Sequence, residues 1–520
     1  MKKKKNTLTS IFSLVILLTI SFLRLSAMVR ITPETPPAVF ASYVQAINLA
    51  GLLDHTFNGI GYATLNISGK ADGCYALALQ SDGKIVTVGE LNINGAGGPP
   101  PTGLFATLRY NTDGTLDHSF GNNLGYVTTS LSGAGYIDGA NGVAIQSNGK
   151  IVVVGSTNIY DAAPNIGYFG VVRYNSDGSF DTSFGPSKNG IVTKNFSGRI
   201  DGATSVVIQP DGKILVGGFT NIYQGGLGTG DATLIRYNSD GTPDNNFGPN
   251  GDGTFSINIS GVGQVDSIQA LLLQPDGKII AIGGTNVTAR GIAIGSFLIM
   301  RFSQDGHLDK TFGPSQTGIV TTHISPNVVG YIDEAFAGVL QPDGKIIAAG
   351  VVNIDQGGGP VIGYVGLVRY NSDGTIDHAF GQNGIVTTNI SGIGYVDGAY
   401  SVTLQLDNSI VVAGSTNIWG VGGVGSSILI LRYTSEGRLD SSYGPNGTGY
   451  TITHISRPPL SDAGHAVALT PSGDIVVVGQ TNIDAGFGGA PTAGDFLTLR
   501  YINPFTPTTF TSSYGGVGFL

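Results

Sequence analysis

Apolar residues along this chain fall in short bursts, and few stretches show helical spacing. Typical bursts are GVAIQ (142–146), IVVVG (151–155), GVVRYN (170–175) and GIVTTNI (384–390). Each is rich in β-branched residues and bounded by Gly, Asp, Asn or Pro, the signature of strands between turns. The bursts recur. The hexapeptide QPDGKI stands at 209–214, 274–279 and 341–346. Its turn position, Asp or a substitute, falls at Asp82, Asn148, Asp211, Asp276, Asp343, Asp407 and Ser472. The intervals are 66, 63, 65, 67, 64 and 65 residues, so the chain holds seven units of about 65.

Every unit reads alike: strand, Asp-Gly turn, strand, Gly-rich loop, third strand, second Asp-Gly turn, an LD..FG segment and a fourth strand. In Pro-Asp-Gly, Pro presets φ, Asp caps the turn and Gly takes positive φ. QPDGKI is thus a hairpin connector needed once per unit. Four strands in each of seven units predict an all-β, seven-bladed β-propeller with antiparallel blades. A β-solenoid is the competitor, but its repeats are shorter and need no two hairpin turns each. The pattern of a strand, DGKI, a strand and then RYN.DG..D..FG resembles the delta-60 repeat. That resemblance spans 53–501 and implies a propeller in an exported bacterial protein with no assigned reaction. Unit six departs at LDNSI (406–410) and unit seven at PSGDI (471–475).

Composition adds three constraints. Glycine is 82 of 520 residues, roughly twice the usual share of about 7%, as a turn-rich chain requires. A net charge of −9 argues against a nucleic-acid partner, which selects a basic face. Lys2, Lys3, Lys4 and Lys5 followed by an apolar stretch at 11–23 read as a signal peptide over 1–27, with Ser26 and Ala27 at the cleavage site. An uncleaved N-terminal segment, the one membrane contact foreseen, is the alternative. A linker over 28–52 contains TPETPP (32–37); the propeller then runs 53–501 and a tail 502–520. Cys74 is the lone cysteine, so stability must come from packing.

Two spacings never vary. Asp72, Asp138, Asp201, Asp266, Asp333, Asp397 and Asp462 stand ten residues before the turn position. Asn92, Asn158, Asn221, Asn286, Asn353, Asn417 and Asn482 stand ten after it. Positions equidistant from a hairpin turn lie across from each other, which sets all fourteen at one end of the ring. A residue that every blade needs reads as architecture bonding loop backbone; the rival reading is seven carboxylates holding a cation. The second pair is Arg and Asp eight apart: Arg109/Asp117, Arg173/Asp181, Arg236/Asp244, Arg301/Asp309, Arg369/Asp377 and Arg432/Asp440. Bidentate pairing would brace each blade. Arg500 lacks such an Asp, and Asp54 in LDHTF (53–57) lacks an Arg. The N-terminal segment is therefore expected to complete the last blade. The rival closure is FTSSYGGVGFL (510–520), but there Thr511 stands where Asp belongs.

Catalytic and metal motifs are missing. NTDGTLD (111–117) fails as a calcium loop, since Arg109 would be its first ligand and Phe120 its last. No HExxH, GxSxG or CxxC occurs, no motif requires a cofactor, and Cys74 occupies a slot held elsewhere by alanine. Candidate binding residues lie where equivalent positions differ between units. Three after the ring Asp come Tyr75, Asn141, Thr204, Gln269, Phe336, Tyr400 and His465; two before it come Tyr136, Tyr331 and Tyr395 among others; two after the ring Asn come Tyr160, Tyr223, Asp355, Trp419 and Asp484 among others. The nine taken as ligand contacts are Tyr75, Tyr136, Tyr160, Tyr223, Tyr331, Tyr395, Tyr400, Trp419 and His465. The expectation is an exported binding module that meets a glycan or protein through its Asp/Asn face. A polysaccharide hydrolase or lyase using Asp355, Asp484 and His465 is one alternative, and a purely structural surface protein is another.

Overall fold

Each unit folds as four antiparallel strands because its apolar bursts are separated by residues that accept positive φ. The structure, a computed structural model, describes residues 50–93, 103–133, 136–159, 166–222, 229–287, 294–325, 331–355, 363–392, 394–418, 425–483 and 493–503. Blade 1 consists of β2 (Ala71–Leu79), β3 (Ile85–Ile93), β4 (Leu104–Tyr110) and β5 (Tyr126–Thr129), bonded in that order. Blades 2 to 6 repeat this and begin at β6 (Ile137–Ile145), β10 (Ile200–Ile208), β14 (Val265–Leu273), β18 (Tyr331–Leu340) and β22 (Val396–Leu404). Blade 7 takes β26 (Ser461–Leu469), β27 (Ile475–Ile483) and β28 (Asp495–Tyr501) from one end of the chain and β1 (Tyr62–Leu65) from the other. First strands of neighbouring blades pack in a closed circle that ends with β26 against β2. The result is the seven-bladed propeller that the repeat predicts. Among the described residues, no helix is long and apolar enough to cross a membrane.

Turn chemistry sets the first hairpin. In QPDGKI, Gly212 has φ 83°, its N–H donates to Gln209 O, and Gln209 N–H donates to Lys213 O. Where the hexapeptide decays to LDNSI, Asn408 takes φ 64° instead, as Asn tolerates better than other side chains. Each hairpin also carries a bulge: in β2 the register slips between Cys74 and Ala76, leaving Tyr75 without a partner across the ladder. Opposite the bulge stands Gly89, where a Cβ would lie 1.8 Å from the Gly73 carbonyl oxygen. Glycine fills the equivalent position in all seven blades, from Gly155 to Gly479.

Apolar layers fill the seams between blades. Val152, Val154, Phe169 and Val171 of blade 2 pack on Val206, Ile214, Val216 and Ile235 of blade 3. Burying such a side chain fully is worth about 1.5–3 kcal/mol, so every seam is a core of its own.

The outer Arg joins blade to blade. Arg109 Nε donates to Asp117 Oδ2 at 2.6 Å, and Lys84 of the first turn reaches the same oxygen at 2.8 Å. The guanidinium lies 4.7 Å over Phe120 and donates to Ser176 O in the next blade. Bidentate pairing, expected from the spacing, therefore gives way in the first five blades. There Nη1 is spent on the neighbouring turn, and the second carboxylate oxygen caps its own turn, as Asp117 Oδ1 does with Ser119 N–H. Burial alone would raise the Asp117 carboxyl, but Lys84, Ser119 and Arg109 together hold it well below the usual range. Arg432, where Ser409 replaces the turn Lys, bonds Asp407 as well as Asp440.

The same constellation closes the ring across the chain ends. β1 pairs with β28, Tyr62 opposite Leu499 and Leu65 opposite Phe496. Arg500 Nε donates to Asp54 Oδ2 at 2.6 Å, and its guanidinium lies 5.0 Å over Phe57. Closure reaches past Asp54: Ala50 is fully buried and accepts Gly444 N–H. The rival tail, 510–520, lies outside the described residues. Replacing Arg500 or Asp54 by Ala should cost about 3 kcal/mol, because the surviving charge stays half-enclosed without its partner. Urea unfolding measures it; an unshifted midpoint in both variants would contradict this closure.

Candidate functional site

The invariant aspartates turn into the seams. All seven are fully buried. In Asp138, Oδ2 accepts the N–H groups of Leu131 and Ser132, which leave the previous blade, while Oδ1 accepts Ser132 Oγ, Thr157 Oγ1 and Asn158 N–H. Two consecutive N–H donors on Oδ2 recur at Asp72, Asp201, Asp266, Asp333, Asp397 and Asp462. The backbone N–H of each ring Asp also bonds the previous blade, as Asp72 N–H does with Gly494 O. Spacing alone suggests a circle of carboxylates near the axis; their donors lie instead at the blade crossings, and these draw the side chains sideways. Six of the partner asparagines, Asn158, Asn221, Asn286, Asn353, Asn417 and Asn482, have φ between 57° and 65°. Asn92 lies in β3, and its side chain is outside the described residues.

The residues at the bulges face the axis, where four consecutive blades bring rings together. Phe336 of blade 5 and Tyr400 of blade 6 have ring centres 5.6 Å apart, Tyr400 and His465 of blade 7 are 5.8 Å apart, and His465 and Tyr75 of blade 1 are 5.3 Å apart. Blades 2 to 4 complete the circle with polar groups. Asn141 Nδ2 donates to Ala203 O, Thr204 Oγ1 to Ile268 O, and Gln269 Nε2 to Glu334 Oε1. These positions are parts of strands, fixed by the bulge, not loop residues. His465 Nε2 is buried without a hydrogen-bond partner among the described residues. Burial pushes its imidazole down to about 4, so it is neutral at physiological pH.

Two carboxyls at this level were not singled out in the sequence. Glu90 packs against Gly139 of the following blade, and Glu334 against Gly284 of the preceding one. Each Glu thus occupies room that a neighbouring blade leaves by carrying glycine. Burial and the nearby Asp138 push Glu90 up to about 8, and its Oε1 has no partner among the described residues. Burial pushes Glu334 up to about 7 against the pull of Gln269. A signal existed: the Glu90 slot holds Ser156, Phe219, Gly284, Val351, Ser415 and Gln480 in the other units, and the Glu334 slot holds only Gly, Ser or Ala.

The remaining candidates scatter. Tyr136, Tyr331 and Tyr395 stand on three blades, each giving its carbonyl oxygen to a seam hydrogen bond. Tyr160, Tyr223, Trp419 and Asp484 lie outside the described residues, as does the side chain of Asp355. His323 and His454 each approach a ring aspartate at 3.1 Å, and Gly295 O accepts from His323 Nδ1 at 2.8 Å. Burial raises the Cys74 thiol to about 12, so it is no nucleophile.

Six segments, 80–120, 146–184, 209–247, 274–312, 341–380 and 405–443, match the family described as Domain of unknown function (DUF5122) beta-propeller. They fall once per blade in blades 1 to 6. The chain is a β-propeller repeat protein. No curated protein sequence matches this propeller. Among solved structures it is similar to a virginiamycin B lyase from Staphylococcus aureus, at 12% identity and TM-score 0.39 over 85% of this chain and 99% of the other. It is also similar to the NanB sialidase of Streptococcus pneumoniae (13%, 0.37, 84% and 70%) and an α-L-arabinofuranosidase of Fusarium graminearum (11%, 0.38, 69% and 92%).

The two axial carboxyls make a pH signature. Their native pKa values exceed the ordinary 4.5, so the native state holds these protons more tightly than the unfolded chain. The stability they contribute is complete below about pH 4.5 and declines as pH rises through about 7 for Glu334 and about 8 for Glu90. Glu90→Gln and Glu334→Gln should melt higher than the parent above pH 8 and alike near pH 5. Parallel melting curves across that range would refute the assignment.

Proposed function

We propose that this propeller is an exported binding module that recognises a glycan at the Asp/Asn end of its ring. The observation that carries the reading is the axial circle. Seven positions with one backbone geometry hold a continuous arc of rings, Phe336, Tyr400, His465 and Tyr75, beside a polar arc, Asn141, Thr204 and Gln269. A symmetric scaffold gains nothing in stability from that asymmetry, whereas a sugar, with apolar C–H faces and hydroxyl edges, matches both arcs. Trp419, Tyr160 and Tyr223, singled out in the sequence and outside the described residues, are part of this reading. The finer family reading, the delta-60 repeat, and the export expected from the N-terminal segment belong to the same proposal.

A second reading, a polysaccharide hydrolase or lyase, draws on Glu90 and Glu334. Carboxyls that keep a proton near neutral pH are suited to general-acid work. In that case Glu90→Gln would retain glycan binding and lose product formation, because the leaving oxygen would go unprotonated.

The test is a glycan array followed by titration of the best ligand. Tyr400→Asn and His465→Gln borrow residues that sibling blades carry at the same slot, so the fold should tolerate them. Each should weaken binding by about 2 kcal/mol, roughly 30-fold. Full affinity in both variants would reject the axial reading, and an array with no ligand at all would reject the glycan. N-terminal sequencing of the native protein should find a start near residue 28; an intact Met1 would reject cleavage.

A further inference from the structure

Blade 3 departs from its siblings in one seam. Its strands β11 (Ile214–Ile222), β12 (Asp231–Tyr237) and β13 (Thr254–Ile257) set Thr220 opposite Asp231 and Thr233 opposite Ser256. Three hydroxyls meet there: Thr220 to Thr233 at 2.8 Å, Thr233 to Ser256 at 2.9 Å and Thr220 to Ser256 at 3.3 Å. Thr233 is 1% exposed, yet its slot is apolar in every other blade: Ala106, Gly170, Leu298, Gly366, Leu429 and Leu497. Thr220 also departs. Its equivalents Thr157, Thr285, Thr416 and Thr481 each donate to their ring aspartate, whereas Thr220 turns to Thr233 and Ser256.

These hydroxyls floor a pocket of about 340 Å³ at the seam between blades 2 and 3. Phe196 forms a wall, 36% exposed, where the other blades carry Ile67, Leu131, Ile259, Ile324, Ile390 and Ile455. Asp231 stands at the rim, its oxygens held by Asn221 at 3.3 Å and Asn258 at 3.1 Å. An aromatic wall, a hydroxyl floor and a carboxylate that can accept two hydroxyl protons are complementary to a polyol ring. Lys194, 5.7 Å over the Phe196 ring, and Arg199, which donates to Asn221 Oδ1 at 3.0 Å, stand beside Asp231, so the rim carries both signs and suits a ring without net charge. A second pocket of about 320 Å³ opens beside blade 5, where Tyr364 and Thr387 hold the slots of Asp231 and Ser256. Gly366 there replaces the central hydroxyl, and in blade 7 Asp495 repeats the carboxylate between Asn66 and Asn482 but with Leu497 in the Thr233 slot; blade 3 joins the carboxylate to the hydroxyl floor.

We propose that this seam pocket is a binding site for one neutral sugar ring. The choice of a sugar rests on the glycan reading above; the place is independent of the axial circle. Saturation-transfer NMR on the full chain, with D-glucose, D-galactose, D-mannose and N-acetyl-D-glucosamine as probes, tests it. At least one neutral sugar should receive saturation on its ring protons. Phe196→Ile with Thr233→Ala, again residues of sibling blades, should reduce the transfer about tenfold. Asp231→Ser, the residue of blade 4, should do likewise if the double variant folds poorly. All seam variants are compared in the Tyr400→Asn background, which weakens transfer from the axial circle in every sample alike. Equal transfer in Tyr400→Asn with and without the folded seam substitutions overturns the inference while the glycan reading stands, as does transfer that Tyr400→Asn alone abolishes. No transfer to any neutral sugar overturns it as well; ligands on the array would then keep the axial reading alive.

Discussion

Seven buried carboxylates hold this ring together. Each takes two backbone N–H donors from the residues that leave the preceding blade, and its own N–H returns a bond to that blade. A buried charge without partners would be prohibitively costly, and one with three to five donors, as at Asp397 and Asp138, is a rigid clamp. The clamp explains local facts that otherwise look separate. Ser68, Ser132, Ser197, Ser260 and Ser325 recur after the fourth strand because each hydroxyl reaches the next aspartate. The partner asparagine recurs because the chain must take positive φ just where its N–H meets the carboxylate. An Asn-Ile-Ser triplet such as that at Asn66 is thereby accounted for without glycosylation, since Asn66 itself bonds Gly494 O and Lys70 O.

At the outer end the arginine does the complementary work. One guanidinium joins its own aspartate, its own phenylalanine and the next blade's turn. Because the turn lysine shares that aspartate in blades 1 to 5, the two signature elements of the repeat, the first hairpin and the LD..FG segment, are coupled inside those blades. Clamping at both ends leaves the seven blades nearly equivalent in geometry. Differences of chemistry at equivalent positions then stand out as departures from what the scaffold itself requires.

Such departures gather at the axis and in the blade 3 seam. The axial circle sorts its rings to one side and its amides and hydroxyls to the other, and it holds Glu90 and Glu334 in spaces that glycines of adjacent blades leave open. The seam exchanges apolar residues for hydroxyls and an isoleucine for a phenylalanine. Neither change repairs the core. Both present hydrogen-bonding groups and aromatic surface together, and the glycan proposal rests on that combination.

The sequence by itself determined the blade count, the strand order and the closure. Turn chemistry is local, so PDGK marks a hairpin wherever it occurs, and a 65-residue period counts the hairpins. The orphan Asp54 and the orphan Arg500 could be matched because each had lost a partner at a fixed spacing. Only the tertiary structure decided where side chains point. Spacing singled out the ring aspartates, but their donors come from the preceding blade, and these hold the carboxylates in the seams. Tyr75, Tyr400 and His465 were legible as variable positions, yet their contact depends on the bulge, which no turn signal marks. Glu90 and Glu334 fit only because Gly139 and Gly284 face them from other blades. The blade 3 pocket depends on Thr220 choosing Thr233 over its aspartate. Contacts of that kind link residues of different strands and different blades, and the pattern within one repeat does not carry them.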